Sequence, residues 1–116
     1  MATKAKLYLL PMGFEDPALP GQSFLCSECT LIDGLLGAQP GLLDHIDIER
    51  VPFPRPRQPV IAAIGEANQS LPVLVLPEGE RNAAATGSAN GRQFASGAPA
   101  IIAALAERHG TPVVHP

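Results

Sequence analysis

The chain is short of charge, of cysteine and of long apolar runs, and it has no tryptophan at all. Charged residues make up only 16% against 46% apolar, which excludes a disordered, solvating chain. The charge balance is 8 Lys+Arg against 11 Asp+Glu, a net charge of −3. A protein that binds nucleic acid needs a basic face, so no nucleic-acid partner is expected. No apolar run approaches the roughly 20 residues that cross a bilayer, so no membrane partner is expected either. The basic opening Met1–Lys6 leads into an apolar stretch, Leu7–Leu10, that stops at Pro11. A signal-peptide core takes about 7–15 apolar residues, so this stretch reads as a first strand and the expected compartment is the cytoplasm. With only two cysteines, no disulfide framework is available. At 116 residues the chain needs none, since a domain of this size buries roughly two-thirds of its unfolded surface. We expect one domain over 1–116.

What is abundant is proline (13) and glycine (11), so long uninterrupted helices are not expected. Strands are read at Lys6–Leu10, Ile46–Phe53 and Val73–Leu76, with a short edge strand at Gln93–Ala95. Helices are expected near 26–37, 58–67 and 98–109. Ser23 or Ser27 is the candidate cap of the first and Ser96 of the third. Pro59 suits the first turn of the second, while Gly110 and Pro112 end the third. Pro11–Gln22 and Glu80–Arg92 read as loops. Alternating strands and helices predict an α/β layer fold whose first two strands are parallel.

The strongest chemical signal is Cys26-Ser27-Glu28-Cys29 at the start of the first helix. Residues three apart share a helix face and fall within disulfide range. The upstream cysteine meets the free N–H groups of the helix start, which favour a thiolate. This spacing suits a redox pair with Cys26 attacking and Cys29 resolving. It also suits two structural cysteines, or half of a metal site. Only His45, His109 and His115 are further candidate ligands, at no recognised spacing, so no metal is expected. Glu28 sets a negative charge between the thiols, with no basic neighbour in sequence. Leu71-Pro72, opening the apolar strand from a polar turn, is a site where a cis bond is tolerated, the alternative being an ordinary trans proline. Arg50, Arg55 and Arg57 read as a solvated surface cluster. The Gly87–Arg92 segment lacks the context of a phosphate-binding loop. His109 is explained by the helix dipole.

These features together resemble the thioredoxin/glutaredoxin family, whose layout also forms the N-terminal domain of glutathione transferases. More closely, Gly13–Pro17, Pro54–Arg57 and Gly65–Pro72 resemble a small bacterial family of thioredoxin-like domains of unknown function. The resemblance implies a thioredoxin-like fold with a central four-stranded mixed sheet flanked by helices. It implies a dithiol at Cys26 and Cys29, and a cis Leu71–Pro72 bond whose backbone meets the substrate. Classical thioredoxins carry Trp before the first cysteine and Gly-Pro between the two; here Leu25 and Ser27-Glu28 stand there. The expected function is thiol–disulfide exchange with a protein or glutathione disulfide, glutathione being the one cofactor in view. The alternative, from another class, is a non-catalytic binding or regulatory module, or a glutathione-binding domain, on the same fold. Oligomeric state is not legible.

Overall fold

The computed structural model describes residues 3–116. Met1 and Ala2, part of the basic opening and of the expected 1–116 domain, lie outside the described residues. The elements in chain order are β1 (Ala5–Leu9), α1 (Ser27–Ala38), a 3-10 turn (Pro40–Asp44), β2 (Ile46–Arg50), α2 (Gln58–Ile64), β3 (Val73–Val75), β4 (Gly87–Ala89), β5 (Arg92–Ser96) and α3 (Ala98–His109). The chain is thus α/β, a five-stranded mixed sheet in the order β2-β1-β3-β5-β4 with three α-helices. β1 and β2 are parallel, as the βαβ opening requires, and the remaining pairs are antiparallel.

Both faces of the sheet are covered, which is why its central strands are apolar without a polar side. Strand side chains alternate, so each strand feeds two cores. Leu7, Leu9, Leu74 and Ala95 face α1 and α3, where they meet Ile32, Leu36, Ile101, Ile102 and Leu105. Tyr8, Val73, Val75 and Phe94 face α2 and meet Val60 and Ile64.

The sheet departs from the expected four strands at its far edge. Gln93–Ala95 was expected to be an edge strand, but β5 is an inner strand, hydrogen-bonded to β3 on one side and β4 on the other. The segment expected to be a loop, Glu80–Arg92, contains the extra strand β4. It turns into β5 through Asn90 and Gly91, both with positive φ (53° and 75°). That is the backbone of a two-residue hairpin, and Asn-Gly is its strongest short signal. The rest of the segment is tied down by Asn82. Its N–H donates to Gln93 Oε1 (2.8 Å) and its Nδ2 donates to Ala104 O (3.1 Å).

Helix ends also differ from expectation. α2 stops at Ile64 rather than near residue 67, because Gly65 takes φ +89° and Asn68 Nδ2 satisfies the Ile64 carbonyl (2.8 Å). Neither serine caps α1; the N-cap is Cys26 itself. Gly97, not Ser96, precedes α3, and no side chain of its own caps that helix. As expected, Gly110 ends α3 in the left-handed conformation.

Candidate functional site

The site lies where β1 ends, β3 begins and α1 starts. β1 and β3 are antiparallel with Tyr8 opposite Val73. Leu71-Pro72 therefore lies just before β3, at the end of the sheet where β1 leads into Leu10. The Leu10 N–H points at the Cys29 sulfur (3.4 Å). The two sequence signals, far apart in the chain, therefore meet at one end of the sheet. Cys26 and Leu71, both partly exposed, pack on the same core cluster, as do Phe14 and Phe53.

Both cysteines are free thiols, and their environments differ. Cys26 is partly exposed and its Sγ accepts the Cys29 N–H (3.2 Å). A sulfur in the capping position takes up one of the orphan donors of a helix start. The Cys26 carbonyl is anchored in turn by the Thr30 N–H (2.9 Å) and hydroxyl (2.8 Å). Cys29 is 3% exposed. Burial pushes its thiol up to about 12, opposed by the Leu10 N–H and reinforced by its hydrogen bond with Cys26. One sulfur is accessible and accepts an N–H; the other is buried and held protonated.

Leu71–Pro72 is cis. So is Arg55–Pro56, in the loop before α2, a bond the sequence reading did not anticipate. Pro72 is buried, and its carbonyl accepts the Gly97 N–H (3.0 Å). The next N–H, that of Ala98, donates to Glu28 Oε1 (2.9 Å). Glu28 is therefore not a stray charge between the thiols. It caps α3 and, through Gly97-Ala98, joins the dithiol segment to the proline.

The expectation of a solvated arginine cluster holds for Arg50 and Arg55, which are exposed, and fails at Arg57. Arg50 pairs with Asp33 through two hydrogen bonds (2.9 and 2.5 Å) and donates to the Leu10 carbonyl (3.2 Å). Arg57 is only 7% exposed. Its Nε and Nη2 donate to Phe53 O (3.1 and 2.6 Å), and its Nη1 donates to Gln69 O (2.8 Å). The guanidinium lies 5.6 Å from the Phe53 ring centroid. Burial first, then the Arg55 charge, lower the Arg57 pKa, while Cys29 and Cys26 act in the opposite direction. Arg57 is thus a buried basic group held by Phe53 and Gln69. Nothing local announced it, because the burial of Arg57 depends on Gln69, 12 residues on.

The long segment before Cys26 folds back on itself. Phe14 and Phe24 exchange backbone hydrogen bonds (2.9 and 2.8 Å), and Phe14 stacks on Phe53 with centroids 4.8 Å apart. An aromatic wall therefore runs from this segment to Arg57. His45 and His109 stack on each other with centroids 5.2 Å apart, where α3 ends. Among the described residues no three His, Cys, Asp or Glu side chains gather as a metal site would require. Among them, too, no helix is long and apolar enough to cross a membrane.

Residues 4–113 match the model of a family described as a protein of unknown function, DUF3088. No curated protein and no solved structure gives a significant match.

Proposed function

This chain belongs to the DUF3088 family, and we propose that it is a thioredoxin-like domain, one unit over its whole length, that performs thiol–disulfide exchange on a protein or glutathione disulfide. The observation that carries the reading is the asymmetry of the pair: an accessible Cys26 that caps a helix, and a Cys29 that burial keeps protonated three residues on. The strand order, with Cys26 and Leu71 packed on one core cluster, supports the fold assignment.

The exchange follows from that asymmetry. The Cys26 thiolate attacks one sulfur of R–S–S–R′, forming a Cys26–S–S–R mixed disulfide and expelling R′S⁻. Cys29 then gives its proton to the departing RS⁻ as its sulfur attacks Cys26. The Cys26–Cys29 disulfide forms, the Cys26–SR bond breaks, RSH leaves, and the R′S⁻ expelled in the first step takes its proton from water. Two electrons pass from the dithiol to the substrate, and a second dithiol must return them. Because Cys29 is held as a thiol, it does not compete for the first attack. Leu71 and Pro72 form the wall beside the Cys26 sulfur that a substrate backbone would meet.

The test is direct. The reduced protein is treated with oxidised glutathione and digested, and the disulfides are read by mass. A Cys26–Cys29 bond is expected, and Cys29→Ser should instead accumulate one glutathione on Cys26. If Cys26 reacts with iodoacetamide no faster than a free thiol and no Cys26–Cys29 bond forms, the exchange reading is lost. A binding module would remain, and it would keep its partner in Cys26→Ser.

A further inference from the structure

Arg57 is a buried cation whose hydrogen bonds all go to neutral atoms. A guanidinium has five N–H groups. Three of them are used, two on the Phe53 carbonyl and one on the Gln69 carbonyl. One donor on each terminal nitrogen remains. Among the described residues the ion pairs engage Lys4, Lys6, Arg50 and Arg108, and none engages Arg57. A charge withdrawn from water without a counter-charge is among the costliest groups a fold can hold. Something that becomes negative should therefore face it.

The candidates around it narrow to one. Arg55 has the same sign and pushes against it. Asp33 is held by Arg50, and the Glu28 carboxylate is turned to the Ala98 N–H. Cys29 lies within electrostatic reach but is kept protonated by burial. Cys26 also lies within that reach, is partly exposed, and packs on the same cluster as Phe53, the residue to which Arg57 donates two hydrogen bonds. We infer that Arg57 is the positioning cation of the site: it holds Cys26 as the attacking thiolate and braces the Leu71–Pro72 wall against it. The second half of that role rests on Gln69, two residues before Leu71. Its side chain accepts the Arg57 backbone N–H (2.8 Å) and its carbonyl accepts Arg57 Nη1 (2.8 Å). This inference rests on the exchange reading given above and names the residue that makes it work.

The experiment is the pH profile of iodoacetamide alkylation, with Cys26 followed by mass between about pH 5 and 9; Cys29, held protonated, stays silent in that range. Arg57→Gln should move the midpoint up by about one pH unit, a roughly tenfold slower reaction on its acid side. Arg57→Lys keeps the charge but loses the planar fork, so it should stay close to the wild-type midpoint even if it melts lower. A purely structural arginine predicts the reverse: both variants lose stability and neither moves the midpoint. A folded Arg57→Gln with the wild-type profile overturns the inference, and so does an Arg57→Lys whose midpoint rises as far as that of Gln. Should Arg57→Gln not fold, the wild-type protein decides. The Arg57 Nε resonance should shift across the same pH range as Cys26 alkylation, and a flat resonance overturns the inference. Failure of the exchange reading itself looks different, because wild-type Cys26 would then react no faster than glutathione at any pH.

Discussion

At the scale of single residues, Glu28 carries the sharpest structural prediction. Its carboxylate is the cap that α3 lacks from its own sequence, 70 residues away in the chain. Replacing it by Ala should cost about 0.5–2 kcal/mol, the range of a lost N-terminal cap, read as a lower urea midpoint at unchanged slope. Glu28→Gln keeps an acceptor oxygen and should recover most of that loss. A Glu28→Ala protein as stable as wild type would show that the Ala98 N–H finds water instead. Cys26 and Cys29 were legible because their relation is three residues long and helical. Leu71–Pro72 was legible because a proline opening an apolar strand is a local pattern. Glu28 and Arg57 were misread for one reason: the partners that define them, Ala98 and Gln69, come from distant turns of the chain. A charge judged by its neighbours in sequence looks solvated.

At the scale of elements, the β4–β5 hairpin is where local reading failed with the signal in view. Asn90-Gly91 is a hairpin turn, yet the glycine, alanine and polar residues around it read as a loop. Burial explains why. β4 is polar and thin (Gly87-Ser88-Ala89), and only Phe94 and Ala95 of β5 are buried. Its inner position comes from hydrogen bonding on both sides, which composition does not encode. The pairing does explain Gly87. It stands opposite Phe94, and a Cβ there would fall 2.4 Å from the Phe94 ring. Gly87→Ala should therefore destabilise by about 1–3 kcal/mol, as overpacking does. Gly34 makes the opposite case. It lies inside α1 with nothing within 4 Å of an added Cβ, so Gly34→Ala should stabilise by about 0.5–1 kcal/mol. Chemical denaturation of the two variants side by side checks both signs, and a Gly87→Ala as stable as Gly34→Ala would mean that Phe94 moves aside freely.

At the scale of the whole molecule, acid should loosen the end of the sheet that is remote from the thiols. There His109, at the last turn of α3, stacks on His45, just before β2. The helix dipole alone favours a charged His109, which is the sequence-level reading. In the fold, burial first, then the Arg108 charge and His45, lower its pKa below the usual 6.5, with Glu80 opposing. The sign follows. The unfolded chain takes up a proton near pH 6.5 that the folded protein accepts only at lower pH. Stability is unaffected above that point, declines as pH falls through it, and levels off once the folded form is also protonated. His109→Gln should flatten this part of the profile of melting temperature against pH. A wild-type profile that rises on acidification from pH 7 would contradict it.

Tyr8 has a consequence for how this protein can be watched. It is the chain's one tyrosine, and there is no tryptophan, so apart from the weak emission of the four phenylalanines all intrinsic fluorescence comes from a single ring. That ring is 5% exposed and belongs to the α2 side of the sheet, while Cys29 belongs to the core on the α1–α3 side. The sheet is an optical partition between them. Tyrosine fluorescence will report unfolding of the whole structure without any added label, and it will stay constant when the dithiol is oxidised. Redox state and foldedness are two separate channels here, and a reporter of the first has to be built in on the other side, at a position such as the exposed Leu25 beside Cys26.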